Sequence, residues 1–192
     1  TASDAYDKYD LAIVNIGNFG DMMMVNGASI RLNSTQKGIR FAAEIGDTYD
    51  ENAQYYMRIV PKNYLDHFGI NDNYYDALLN ALTAGGYSTY IASMQCLPYQ
   101  PTAQEVADSN GVFQAGKWYV RGSLTTIQES NMNTEFFAIA YKVVDGKAYY
   151  ANFNEGENVR SVSRVAKAAI NSGVNYTEEQ MAILENFAKY AQ

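Results

Sequence analysis

The stretch EFFAIAYKVVDGKAYYANF, Glu135–Phe153, decides how the chain reads. Two runs rich in aromatic and branched residues, Glu135–Val144 and Lys147–Phe153, flank Asp145-Gly146. That dipeptide accepts the positive φ of a type I′ turn, so the stretch predicts a β-hairpin. Immediately upstream, Trp118–Ile127 has the same character and extends the prediction to a β-meander from Trp118 to Phe153. Farther out, Leu11–Ile16, Ala28–Leu32, Ile39–Ile45, Tyr55–Val60 and Tyr87–Leu97 read with period two, the signature of strands whose side chains alternate between two faces. In Ile39–Ile45 this puts Arg40, Ala42 and Glu44 on one face, opposite Ile39, Phe41, Ala43 and Ile45.

Helices are fewer. Asn71–Leu82 opens with Asn/Asp caps and ends before Gly85-Gly86. Asn158–Ile170 carries apolar residues at helical spacing. The last helix opens on Thr177 with Gln180 three residues later, a capping box. The fold class expected is mainly β: an antiparallel β-sandwich with two C-terminal helices packed on one side and one short internal helix. Residues 1–192 are expected to form a single β-rich domain, 47% apolar residues being enough for a sizeable core.

Composition narrows function. Seventeen tyrosines stand against one histidine and one cysteine, which supplies flat amphipathic contact surfaces and little catalytic equipment. A phenol offers an apolar face and a hydroxyl, the complement of a sugar's C–H face edged by hydroxyls, although the same rings suit a sheet interior. A formal charge of −7 with no Lys/Arg cluster argues against nucleic acid and anionic lipid and favours neutral ligands. No apolar run reaches the ~18–20 residues needed to cross a bilayer. Thr1-Ala2-Ser3-Asp4 has neither the basic nor the apolar region of a signal peptide, so a soluble, processed or excised segment is expected. Cys96 has no internal disulfide partner and is read as a buried, inert thiol.

Each enzymatic constellation has a plainer reading. His67 follows Asp66, but no nucleophile-elbow sequence accompanies them, and there is no paired His or Cys spacing for a metal. Asp47, Asp50 and Glu51, and Asn71–Asn73 with Asp76, are oxygen-rich as calcium sites are, yet neither matches an EF-hand loop; a solvated turn and helix capping account for them. Glu44 and Glu135 form the obvious glycosidase pair, but Arg31, Arg40, Arg121 and Arg160 recur at similar positions, so these carboxylates are expected to neutralise partly buried guanidinium groups. No metal and no cofactor is therefore assigned. For sugar binding, Tyr87, Tyr90, Tyr99, Phe113 and Trp118 flank the long irregular stretch Pro98–Gly116, and Asn131 and Asn133 lie in the turn before the next strand. Trp118 shares its strand face with Val120 and Leu124, so a core role competes with a platform role there, as it does at Tyr74, Tyr119 and Tyr149.

Gly27–Leu32, Gly38–Ile45, Ile59-Val60-Pro61 with Tyr64-Leu65, Trp118–Ser123, Thr134–Tyr141, Arg160-Ser161-Val162 and Tyr176–Gln180 occur together in an order that resembles a module repeated in large surface proteins of gut Firmicutes. It is similar in particular to the N-terminal module of a ruminococcal starch-adherence (amylosome) protein, and differs at Tyr56-Met57-Arg58, where a glycine and an apolar residue are more usual. Such modules accompany dockerins, carbohydrate-binding modules and glycoside hydrolases. The resemblance implies a secreted or cell-surface, non-catalytic module that binds polysaccharide, with starch-type α-glucan as the specific ligand and neighbouring dockerin or binding modules as partners. The alternatives are a structural or protein-interaction spacer, and a glycoside hydrolase using Glu44 and Glu135.

Overall fold

A computed structural model describes residues 19–67, 92–154 and 156–192. Within them lie β1 (Phe19–Met24), β2 (Ser29–Arg31), β3 (Gly38–Gly46), β4 (Gln54–Pro61), α1 (Lys62–His67), β5 (Ala92–Cys96), α2 (Ala103–Asp108), β6 (Trp118–Thr125), β7 (Phe136–Val144), β8 (Lys147–Asn152), β9 (Val159–Arg160), α3 (Val162–Ile170) and α4 (Glu178–Ala188). The strand expected at Leu11–Ile16, the helix at Asn71–Leu82 and the start of Tyr87–Leu97 lie outside the described residues.

The chain is mainly β, as its alternation indicates. All nine described strands join one hydrogen-bonded sheet, in the order β2-β3-β1-β8-β7-β4-β5, with β6 on the other edge of β3 and β9 on β7. The sheet is mixed: β1 runs parallel to β8, pairing Phe19 with Tyr150, while β3 is antiparallel to both β1 and β6. Instead of two separate antiparallel layers, one strip curls until its ends meet. Tyr99, just beyond β5, exchanges backbone hydrogen bonds of 2.8 and 2.7 Å with Tyr119 of β6, and this single bridge closes the curl.

The interior follows from the two-residue period. Ile39, Phe41 and Ala43 of β3 are fully buried, as are Met57 of β4, Val120 of β6 and Ala138 and Ala140 of β7. Opposite walls approach so closely at β6 that a Cβ added to Gly122 would stand 2.6 Å from Met57 Sδ and 2.9 Å from Met57 Cβ. Alanines on β7 and glycine on β6 thus leave room for Phe41 and Met57. The β7–β8 hairpin turns on Asp145 (φ 50°) and Gly146 (φ 75°), the two positive φ angles of the expected type I′ turn. The Thr177–Gln180 capping box is also present, with Thr177 Oγ1 accepting from Gln180 N at 3.2 Å and Gln180 Oε1 accepting from Thr177 N at 3.0 Å. Behind it, Ile183, Leu184 and Phe187 are buried, and α4 packs against α3, which rests on β2. The helix expected over Asn158–Ile170 begins later, because Val159 and Arg160 pair with Phe137 and Phe136 of β7 and Ser161 supplies the N-cap.

Candidate functional site

The other face of β3 and β6 is polar. Register places Arg40 opposite Ser123, Ala42 opposite Arg121 and Glu44 opposite Tyr119. Arg40 Nε donates to Ser123 Oγ at 2.9 Å. Burial, then the like charges of Arg121 and Arg31, lower the Arg40 guanidinium to about 10, with Glu105 opposing the shift; it remains charged at neutral pH.

Pro98–Gly116 covers part of this face, and it contains the helix α2, which periodicity did not reveal. Thr102 caps α2 by accepting from Glu105 N at 3.2 Å. Glu105 then anchors the wall to the sheet: it accepts from Tyr99 Oη and lies 3.5 Å from Arg121 NH1, whose guanidinium sits 3.5 Å from the Tyr99 ring centroid. Burial, with this hydrogen bond second, raises the Tyr99 phenol, and Arg121 opposes it. Downstream, the Phe113 ring meets Tyr119 edge-on at 4.9 Å, and Tyr119 Oη accepts from Gln114 N at 2.9 Å. The long connection is therefore an ordered wall whose footing is two tyrosines, an arginine and a glutamate.

Between this wall, the β2–β3 face and α3 lies a cavity of about 530 Å³. Its wall side is Asp108, Ser109, Asn110, Val112 and Phe113; its floor includes Ser29, Ile30, Arg40 and Ala42; Arg160, Arg164, Val165 and Tyr176 face them. An adjoining cavity of about 350 Å³ is lined by Met23, Glu44, Gly111 and Asn154 and shares Val25, Asn26, Asn110 and Val112 with the first. The two form a groove that passes the Asn110–Val112 tip. That tip holds its shape through the left-handed pair Asn110 (φ 53°) and Gly111 (φ 83°), an arrangement that asparagine and glycine tolerate best. Asn154 Nδ2 donates to Asn26 Oδ1 at 3.1 Å, which orients both amides, and Met23 and Val112 are unusually exposed apolar side chains at 43% and 44%.

Among the described residues, those expected to bind sugar do not converge. Phe113 lines the groove. Tyr99 is engaged with Arg121 and Glu105, and Trp118 packs edge-on against Tyr49 at 4.6 Å; neither lines the groove. Asn131 lines a separate cavity of about 530 Å³ beside Pro61, Asn63, Tyr64 and Glu135, and Asn133 accepts a hydrogen bond from Ser163 Oγ in α3. Tyr87, Tyr90 and Tyr74 lie outside the described residues, as does the His67 side chain. Tyr119 is fully buried and belongs to the packed interior of the wall. Arg40, Asn26, Asn110 and Arg164 line the same cavity as Phe113. Asn110-Gly111 is the one sequence signal for this, as a left-handed turn.

The carboxylates also require correction. Glu44 and Glu135 line different cavities. They do not neutralise the arginines: Glu44 lies 4.0 Å from Lys117, while Glu105 pairs with Arg121 and Glu157 with Arg160. Glu44 therefore sits beside a lysine that is held mainly by Asp47 at 2.8 Å. Asp50 Oδ1 accepts from Asn52 N at 2.8 Å, the hydrogen bond of a tight Asx turn. Burial raises the Cys96 thiol to about 11, consistent with an inert side chain. No helix among the described residues is long and apolar enough to cross a membrane. Comparison with protein-family models, curated proteins and solved structures finds nothing that matches this chain.

Proposed function

We propose that this is a non-catalytic carbohydrate-binding module that holds an oligosaccharide stretch of a polysaccharide in the groove beneath the Asn110–Val112 tip. The observation that carries the reading is the groove itself: two adjoining cavities on a sheet face, with a pinned wall and a mixture of amide, hydroxyl, guanidinium and apolar lining. A glycan needs that mixture, because each ring presents hydroxyls at its edge and C–H groups on its faces. Preorganised amides and a fixed wall also reduce the ordering cost of binding. Starch-type α-glucan is the first ligand to test, and an extracellular bacterial polysaccharide-utilising assembly with neighbouring dockerin or binding modules is the setting we propose.

Retardation on amylopectin or glycogen gels, without release of reducing sugar, is the expected result. Titration with maltoheptaose should weaken by about 1–3 kcal/mol in Phe113→Ala, once its melting curve shows the variant folded. Undiminished binding there would move the ligand out of the groove. Hydrolysis abolished by Glu135→Gln would instead establish a glycosidase, and a parent protein without affinity for any glycan would leave the spacer reading.

A further inference from the structure

The groove is electrostatically lopsided. Three arginines, Arg40, Arg160 and Arg164, line its larger cavity against one carboxylate, Asp108, in a chain whose formal charge is −7. Their partners differ. Arg160 is satisfied: NH1 donates to Gly156 O at 2.9 Å and Val159 O at 2.8 Å, and NH2 lies 2.9 Å from Glu157. Asp108 accepts from Gln104 Nε2 at 2.9 Å. Arg40 uses only Nε, toward Ser123, and Arg164 has no ion pair or side-chain hydrogen bond among the described residues. Two guanidinium groups with unused forks thus line one cavity, and the like charges of Arg121 and Arg31 add to the positive field at Arg40.

An α-glucan offers nothing that calls for two such groups. A carboxylate does, since the guanidinium fork binds it with paired, charge-assisted hydrogen bonds. We propose that the part of the groove lined by Arg40 and Arg164 binds the carboxylate of a uronate, so that a glycan bearing such a group is held more tightly than a neutral α-glucan. Ser29 and Asn110 line the same cavity and supply hydroxyl and amide groups for the sugar's remaining edge. The chain's negative charge does not defeat this, because charges farther than about 8–10 Å are largely screened at physiological salt while the guanidinium groups act in contact. The proposal rests on the glycan-binding reading above.

Calorimetric titration of the intact protein with trigalacturonate, its methyl ester and maltoheptaose tests it. Trigalacturonate should bind about tenfold or more tightly than the ester, which keeps the size and loses the charge. That preference should shrink at high salt and disappear in Arg164→Gln or Arg40→Gln, each checked by its melting curve. Equal affinity for acid and ester, binding of maltoheptaose alone, or a preference retained in both variants would overturn the uronate while leaving glycan binding intact. Inorganic sulfate binding as tightly as trigalacturonate would reduce the feature to a plain anion site. Displacement by an acidic peptide of higher affinity would make the partner a protein. No affinity for any of the three sugars would remove both readings.

Discussion

Strands β3 and β6 present two surfaces built on one ladder, and they differ in almost every physical respect. On the inner side Ile39, Phe41 and Ala43 are fully buried beside Val120 and Gly122, with the opposite wall so near that a Cβ on Gly122 would overlap Met57. On the outer side Arg40, Arg121 and Ser123 meet a polar wall and a groove. A shift of one residue along the backbone separates an apolar interior from a charged surface. If the proposed binding is right, stability and binding are carried by alternate residues of the same strands, so single substitutions should separate them.

The largest break is expected from Phe41→Ala, which removes an aromatic ring from the interior and should cost about 3–5 kcal/mol in a chemical-denaturation measurement. A loss under about 1 kcal/mol would mean that the curl does not depend on its interior. Next, Gly122→Ala drives a methyl group into Met57, including its Cβ, which cannot swing away; about 1–3 kcal/mol and a melting point lower by several degrees are expected. Alkaline pH probes the same interior more gently. Burial raises Cys96 from 9.0 to about 11, so the folded chain holds that proton more tightly than the unfolded chain does. The stability it contributes is complete below the unfolded value and falls as pH climbs through that interval. Denaturation midpoints followed from neutral pH upward should show this decline, less steeply in Cys96→Ala; Tyr55, Tyr99 and Tyr119, also raised by burial, contribute in the same direction. The smallest effect sharpens the contrast: Arg164→Gln, on the exposed side, should leave unfolding within about 0.5 kcal/mol of the parent, and a larger loss would mean that the groove is also structural.

Much of the interior was legible in the sequence, and much of the groove was not. Alternation in Ile39–Ile45, the Asp145-Gly146 turn and the Thr177–Gln180 box are local patterns, and local patterns dictate local geometry whatever the rest of the chain does. β1 escaped notice because Phe19–Met24 ends in consecutive methionines, which carry no alternation, although Met22 and Met24 are buried while Met23 is half exposed. The groove depends on where a long connection lands. Nothing in Pro98–Gly116 announces that Glu105 will reach Arg121 or that Asn110 and Arg40 will line one cavity, since both depend on tertiary contacts across the sheet. Ring type alone does not tell where a ring will lie: Tyr99 is held beneath a guanidinium and Trp118 against Tyr49, so neither joins Phe113 in the groove.

The parallel pairing of β1 with β8 carries a consequence for how the protein is made. Phe19 and Met23 are aligned with Tyr150 and Asn152, and the same strand bonds to β3 on its other side. An early segment therefore waits, during synthesis, for one emitted far later before its second edge is satisfied. Hairpins such as β7–β8 can form at once, but the strip cannot be joined end to end until most of the chain has emerged. Such nonlocal topology places folding toward the slow end of single-domain rates, and a nascent chain stopped before Lys147 would expose β1 as a half-bonded edge.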